Sequence, residues 1–197
     1  MRLYSVNPFT GASKMLIKES VPKFVKEEVM ENSIVGKKYI LMPSDRDGYM
    51  HLYLYDMNGK LIRQVEKGNY DVTEIYGMDE KAGDVYFQAA IINPHDRQVY
   101  VAHKNGKVDQ LTDAKGSNAA NFSGDYRYFV NTWSSYSHPY VFTVRDNKGK
   151  VIKMLEDNKK LVEKTQQYNW GKRETFTFTT SEGVKLDGWM VKPVDFD

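Results

Sequence analysis

Apolar and polar positions along this chain alternate in short runs with a period of two rather than 3.6, and turn residues close each run. The clearest run is His51-Leu52-Tyr53-Leu54-Tyr55, followed by Asp56-Met57-Asn58-Gly59 and then by Lys60-Leu61-Ile62. Strand, Asn-Gly turn and second strand make a β-hairpin. The same device stands at Tyr4–Lys14 around Gly11, at Gln98–Val108 around Gly106 and at Pro139–Ile152 around Gly149. Further strands are expected upstream of the last three hairpins, at Lys38–Met42, Asp84–Ala90 and Tyr126–Trp133, all rich in β-branched or aromatic residues. Each follows glycine-bearing punctuation at Gly36, Gly83 or Gly124.

The turn glycines recur at roughly 40 to 50 residues, the repeat of a four-stranded propeller blade. The pattern therefore predicts an all-β chain: residues 1–161 form a partial β-propeller of about three four-stranded blades plus a leading fragment. A β-sandwich with evenly spaced hairpins is the competing reading, and four copies of one turn in one register argue against it. A closed propeller takes at least about four blades, so the chain is expected to be part of something longer.

The periodicity fades near Leu155–Leu161. Polar residues 158–167 can form a helical turn or short helix, and residues 162–172 read as a linker. Alternation then resumes. Arg173–Thr180, the turn Ser181-Glu182-Gly183, and Val184–Pro193 predict a hairpin within residues 173–197 that opens a new domain.

Composition sharpens this picture by exclusion. Fourteen Tyr, 9 Phe and 3 Trp favour pleated, half-buried surfaces. A net charge of +2, from 28 basic and 26 acidic residues, gives no overall field for nucleic acid or an anionic membrane. With no cysteine, disulfides, thiolate nucleophiles and cysteine-ligated metals are absent. The opening residues carry no apolar signal-peptide core, and no run is long enough for a membrane-spanning helix.

Catalytic motifs are equally scarce. No Gly-x-Ser-x-Gly elbow occurs. Ser134 and Ser135, in Trp133-Ser134-Ser135-Tyr136, read as an exposed polar loop between blade strands, together with His138-Pro139. His51, His95, His103 and His138 sit apart, without H-x-x-x-H metal spacing or a nearby Cys or carboxylate partner, and are expected to be structural; His51 positions a turn by hydrogen bonding. Asp45-Arg46-Asp47-Gly48 reads as a turn, with a calcium site as the weaker alternative. Val25–Met30 forms an amphipathic helical turn whose Glu27-Glu28 pair is solvated surface, and the sequon Asn121-Phe122-Ser123 matters only in a secretory eukaryotic setting. No catalytic, cofactor-binding or metal-binding residue is assigned.

The run Ser44-Asp45-Arg46-Asp47-Gly48-Tyr49-Met50-His51-Leu52-Tyr53-Leu54-Tyr55, then Thr73, Leu155-Glu156-Asp157-Asn158 and Phe176–Asp197 resembles the dipeptidyl peptidase IV family of prolyl-oligopeptidase-clan serine peptidases, in its bacterial form. The resemblance covers the last blades, from Lys38 to Leu161, and the hairpin that leads into the α/β-hydrolase domain. Val21–Val35 departs from the family pattern at a blade boundary. The resemblance implies a parent exopeptidase that removes N-terminal dipeptides with Pro or Ala second, located in the periplasm or cell envelope. It also implies that the nucleophile and its partners lie after the position where this sequence ends, and that the Glu pair holding the substrate amine lies before its start. No family catalytic residue maps onto this chain. Its expected role is a non-catalytic propeller fragment that gates access to short peptides and positions the hydrolase domain. Its expected partners are the remaining blades, that domain, peptide substrates and, through open strand edges, other copies of itself. The alternative is a stand-alone propeller-like module that binds a protein or peptide.

Overall fold

The computed structural model describes residues 1–20, 28–113 and 115–196. Strands β1 (Arg2–Val6) and β2 (Ser13–Lys18) pair antiparallel across the turn at Gly11. The four-residue helix α1 (Glu28–Glu31) follows. Val25, Lys26 and Glu27, the first half of the expected amphipathic turn, lie outside the described residues, as does the start of the divergent 21–35 segment.

Three antiparallel sheets come next, each of four strands in chain order. The first holds β3 (Ile34–Val35), β4 (Tyr39–Ser44), β5 (His51–Asp56) and β6 (Leu61–Gln64). The second holds β7 (Val72–Asp79), β8 (Asp84–Ala89), β9 (Gln98–Ala102) and β10 (Val108–Gln110). The third holds β11 (Ser117–Phe122), β12 (Tyr128–Ser135), β13 (His138–Asp146) and β14 (Val151–Glu156). Three four-stranded units behind a two-stranded lead make the expected partial β-propeller.

Alternation of side chains explains the stacking. In β5, Leu52 and Leu54 join a core with Phe87 and Tyr100 of the second sheet. Tyr53 and Tyr55 point the other way, toward Ile17 of the leading hairpin and Val29 of α1. The second sheet divides likewise: Val85, Phe87 and Ala102 face the first sheet, while Tyr86, Val99 and Val101 meet Phe129 of the third. Tyr86 also stacks parallel on Tyr126, with ring centroids 5.1 Å apart. The core is thus three layers, one between each pair of consecutive units. At about 1.5–3 kcal/mol for each fully buried large side chain, these layers are the main favourable contribution to stacking.

The last turn of each unit needs glycine. Gly59 and Gly149 adopt φ of +83° and +84°. A Cβ on Gly59 would sit 2.0 Å from the Leu16 carbonyl oxygen of β2, and one on Gly149 would sit 2.3 Å from the Leu111 carbonyl oxygen just after β10. Both the left-handed backbone and the close approach to the preceding unit exclude a side chain.

Helix α2 (Lys159–Thr165) crosses residue 161, and strands β15 (Arg173–Thr179) and β16 (Lys185–Val191) pair in register through a turn at Gly183. One local expectation is corrected. Trp133, Ser134, Ser135, His138 and Pro139 are strand residues, and the connection is only the two-residue turn Tyr136-Ser137. Pro139 fits because β14 pairs with β13 only from Phe142 onward, so no bond from β14 needs its missing N–H.

Candidate functional site

The longer connections gather at one end of the strands, where β4 turns to β5 and β8 to β9, and where the chain crosses from one sheet to the next; the short β12–β13 turn lies at the same end. Backbone bonds stitch these crossings. The Val72 N–H donates to the Met50 carbonyl at 2.8 Å, and the Asn118 N–H donates to the Arg97 carbonyl at 2.8 Å. The first strand of each following sheet is thereby tied to the residue just before the third strand of the sheet behind it.

Side chains reinforce the same joints. His51 opens β5 with its side chain 2 % exposed; Nδ1 lies 2.8 Å from Glu66 Oε2 and Nε2 lies 3.0 Å from the Gly68 carbonyl oxygen. Glu66 Oε1 accepts the Leu52 N–H at 2.9 Å. Burial pushes the Glu66 carboxyl above its ordinary pKa, while the Leu52 N–H and His51 pull it back. Burial also raises the Tyr70 hydroxyl, next to the Glu66 charge. The second sheet repeats the device with neutral groups. Gln98 Nε2 donates to the Gly116 carbonyl at 3.3 Å, and the Val99 N–H donates to Thr112 Oγ1 at 3.0 Å.

Both ring nitrogens of His51 are engaged by oxygen, so neither is available to take a proton from a substrate. His103 is also held on both sides, by Asp84 Oδ1 at 3.0 Å and Asp109 Oδ2 at 3.2 Å, with Lys107 Nζ 2.9 Å from Asp109. His138 Nδ1 lies 2.9 Å from the Pro139 carbonyl oxygen. His95 is exposed, and its N–H caps the Asn93 side chain at 2.9 Å. The structure thus gives His51 and His103 carboxylate partners that short-range sequence reading did not find. Register across the sheets supplies them, and only the repeated position of Glu66 and Thr112 just after the fourth strand would have hinted at one.

A third cluster closes the leading hairpin onto the first sheet. Glu19, 4 % exposed, accepts Ser44 Oγ at 2.6 Å and Arg46 Nη2 at 2.5 Å. Arg46 also donates to the Tyr55 hydroxyl at 2.7 Å and lies 4.0 Å over the Tyr53 ring. Every charge in this cluster is paired, which is the requirement for a buried ion pair. A separate cleft of about 280 Å³ is lined by residues of the first and second sheets and their connection, among them Pro43, Met50, Asp71 and Glu74.

Ser134 and Ser135 lie in β12, where Ser134 pairs with Ser117 and Ser135 with His138. Asp45 accepts the Gly48 N–H as a turn, and Asp47 accepts Gln64 Nε2 at 3.0 Å. Among the described residues, no group of three or more His, Cys, Asp or Glu side chains is arranged to hold a metal ion. Asn121 is exposed on β11, while Ser123 Oγ bonds to Asp125 and to the Tyr128 carbonyl oxygen. Among the described residues, no helix is long and apolar enough to cross a membrane.

Comparison with known proteins agrees with this architecture. Residues 1–140 match the family model for the dipeptidyl peptidase IV (DPP IV) N-terminal region. The chain is 30% identical over 167 residues to dipeptidyl peptidase 4 of Arthroderma otae, and 27% identical over 170 residues to that of Trichophyton rubrum. These matches take in 82% and 84% of this chain but only 21% and 22% of those proteins. The crystal structure of Porphyromonas gingivalis dipeptidyl peptidase 4 superposes on the whole chain with a TM-score of 0.94 and 34% identity, using 28% of its own length. A putative dipeptidyl aminopeptidase IV from Bacteroides ovatus shares the fold, with a TM-score of 0.83 at 24% identity.

Proposed function

Because the chain belongs to the dipeptidyl peptidase IV N-terminal-region family, we propose that it is the non-catalytic propeller portion of a serine exopeptidase that removes Xaa-Pro or Xaa-Ala dipeptides. In this role its blades restrict access to short peptides and hold the hydrolase domain in place. The observation that carries this reading is the superposition of the entire chain on about a quarter of a dipeptidyl peptidase 4. The exit hairpin supports it. Phe176, Phe178, Leu186 and Met190 share one face of β15–β16 and remain 38–47% exposed, a stripe suited to the apolar core of a following hydrolase domain. The open far side of the third sheet suits a further blade in the same way, and the isolated chain self-associates through these surfaces and its open edges. The parent works in the periplasm or cell envelope.

The test compares the full reading frame with the 197-residue chain against an Xaa-Pro amide. The long protein is expected to release dipeptide and the short chain to be inert. Turnover by the short chain, or none by the long one, overturns the reading.

A further inference from the structure

The third sheet differs from the other two at one end. Its middle strands β12 and β13 run 8 and 9 residues, against 6 and 6 in the first sheet and 6 and 5 in the second. The extra length lies at the end where the connections gather, and it pushes the Tyr136-Ser137 turn outward. That tip meets the approach to the exit hairpin. The Tyr136 hydroxyl donates to the Gly171 carbonyl at 3.3 Å. The Arg173 guanidinium lies 5.4 Å from the Tyr136 ring centroid and 4.9 Å from that of Trp189. Trp189 pairs with Thr175 and Val191 with Arg173, so Arg173 and Trp189 are diagonal neighbours on one face of the hairpin. The apolar stripe of Phe176 and Phe178 occupies the opposite face.

A two-stranded hairpin standing alone in water is marginally stable. Here β15 and β16 pair only with each other. A planar guanidinium between two aromatic rings is a restraint that a lysine ammonium does not reproduce. Arg173 Nε is buried without a hydrogen-bond partner, so the group is held by its ring contacts rather than by a carboxylate. Gly171 lets the chain enter closely, since a Cβ there would lie 2.3 Å from the Lys192 carbonyl oxygen.

We propose that Tyr136, Arg173 and Trp189 form a clamp that fixes the angle at which the exit hairpin leaves the third sheet, making Arg173 a positioning residue for the domain that follows. The clamp itself rests on the geometry, and its consequence for catalysis rests on the functional reading above. One face of the hairpin is clamped to the propeller while the other is free to enter the next domain. On that functional reading the propeller and the hydrolase domain act together on one peptide. An error in this angle therefore misplaces the two halves of one site.

Amide hydrogen exchange on the 197-residue chain tests the clamp. Tyr136→Ala and Arg173→Ala are expected to speed exchange throughout β15 and β16 by about tenfold or more, with β4–β5 and β8–β9 unchanged. Arg173→Lys falls between them and the parent chain. Tyr136 lies outside the hairpin, so its effect cannot come from altered hairpin propensity. Unchanged exchange in the Tyr136→Ala chain overturns the clamp. In the full-length protein, Arg173→Ala is expected to lower kcat for an Xaa-Pro amide by about tenfold or more with little change in KM, partly restored in Arg173→Lys. Faster exchange with unaltered kcat overturns the positioning role. If the unaltered full-length protein fails to cleave at all, the functional reading falls, and the exchange result alone decides the clamp.

Discussion

Strand β9 of the second sheet and strand β14 of the third carry similar patterns, Gln-Val-Tyr-Val-Ala and Val-Ile-Lys-Met-Leu-Glu, yet every residue of the first is buried and every residue of the second is exposed. The second sheet has a neighbour on each face, and β9 has a strand on each side. The third sheet is covered on one face only, and β14 is its outer edge. Burial in a stack of repeats is therefore a property of position in the stack. A strand's own alternation prepares it to be covered, and the neighbour decides whether it is.

The largest test of this contrast is a pair of truncations. Phe87→Ala removes a side chain of 0% exposure from the layer between the first two sheets and is expected to cost about 3–5 kcal/mol in urea unfolding. Phe142→Ala, on the uncovered face of the third sheet, is expected to cost less, about 1–2 kcal/mol, because Phe142 is only partly buried. Equal losses would show that the third sheet is covered in solution, by another copy for example. A smaller difference separates the clips of the first two sheets. Glu66→Ala strands His51 and the Leu52 N–H in the interior and is expected to cost about 3 kcal/mol. Thr112→Val removes a single bond to the Val99 N–H and is expected to cost about 1 kcal/mol.

The smallest effect lies on the third sheet's surface. The Ser123 hydroxyl, then Arg127, hold the exposed Asp125 carboxyl down to about 2. Its folded pKa is depressed, so its contribution to stability is present above the ordinary value of 3.8 and fades as pH falls toward 2. A carboxyl NMR titration is expected to place its midpoint near 2, and Ser123→Ala to move that midpoint upward. A titration unaffected by Ser123→Ala would refute this assignment.

Much of the architecture was legible because its signals are local. Gly11, Gly59, Gly106 and Gly149 mark turns whose backbone only glycine adopts readily, and each stands between two alternating runs. The tip of the third sheet was misread for a related reason: Tyr136-Ser137 turns without Gly, Asn or Asp, and the neighbouring Pro139 looks like loop punctuation. The partners of His51 and His103 were scarcely legible, the placing of Glu66 just after the fourth strand being the one hint. Glu66 reaches His51 only after β6 has returned alongside β5, and Asp84 reaches His103 only across the β8–β9 register. Such pairings depend on which strands end up adjacent, information that no window of the sequence contains. The Tyr136–Arg173–Trp189 stack is of the same kind, since it joins two hairpins on either side of α2.

The contact of Gly59 with the Leu16 carbonyl, repeated by Gly149 at Leu111, would matter on the scale of any ring these sheets belong to. Each touches the backbone of the preceding unit, so it works as a spacer that sets the angular increment from one sheet to the next. In a circular stack such increments add. A methyl group at one of these glycines opens a single step slightly, and that displacement is carried undiminished to the far side of the circle, where first and last blades must meet. Tolerance at these two small contacts is therefore tight, and in a closed propeller a substitution that barely unsettles one sheet would hinder closure.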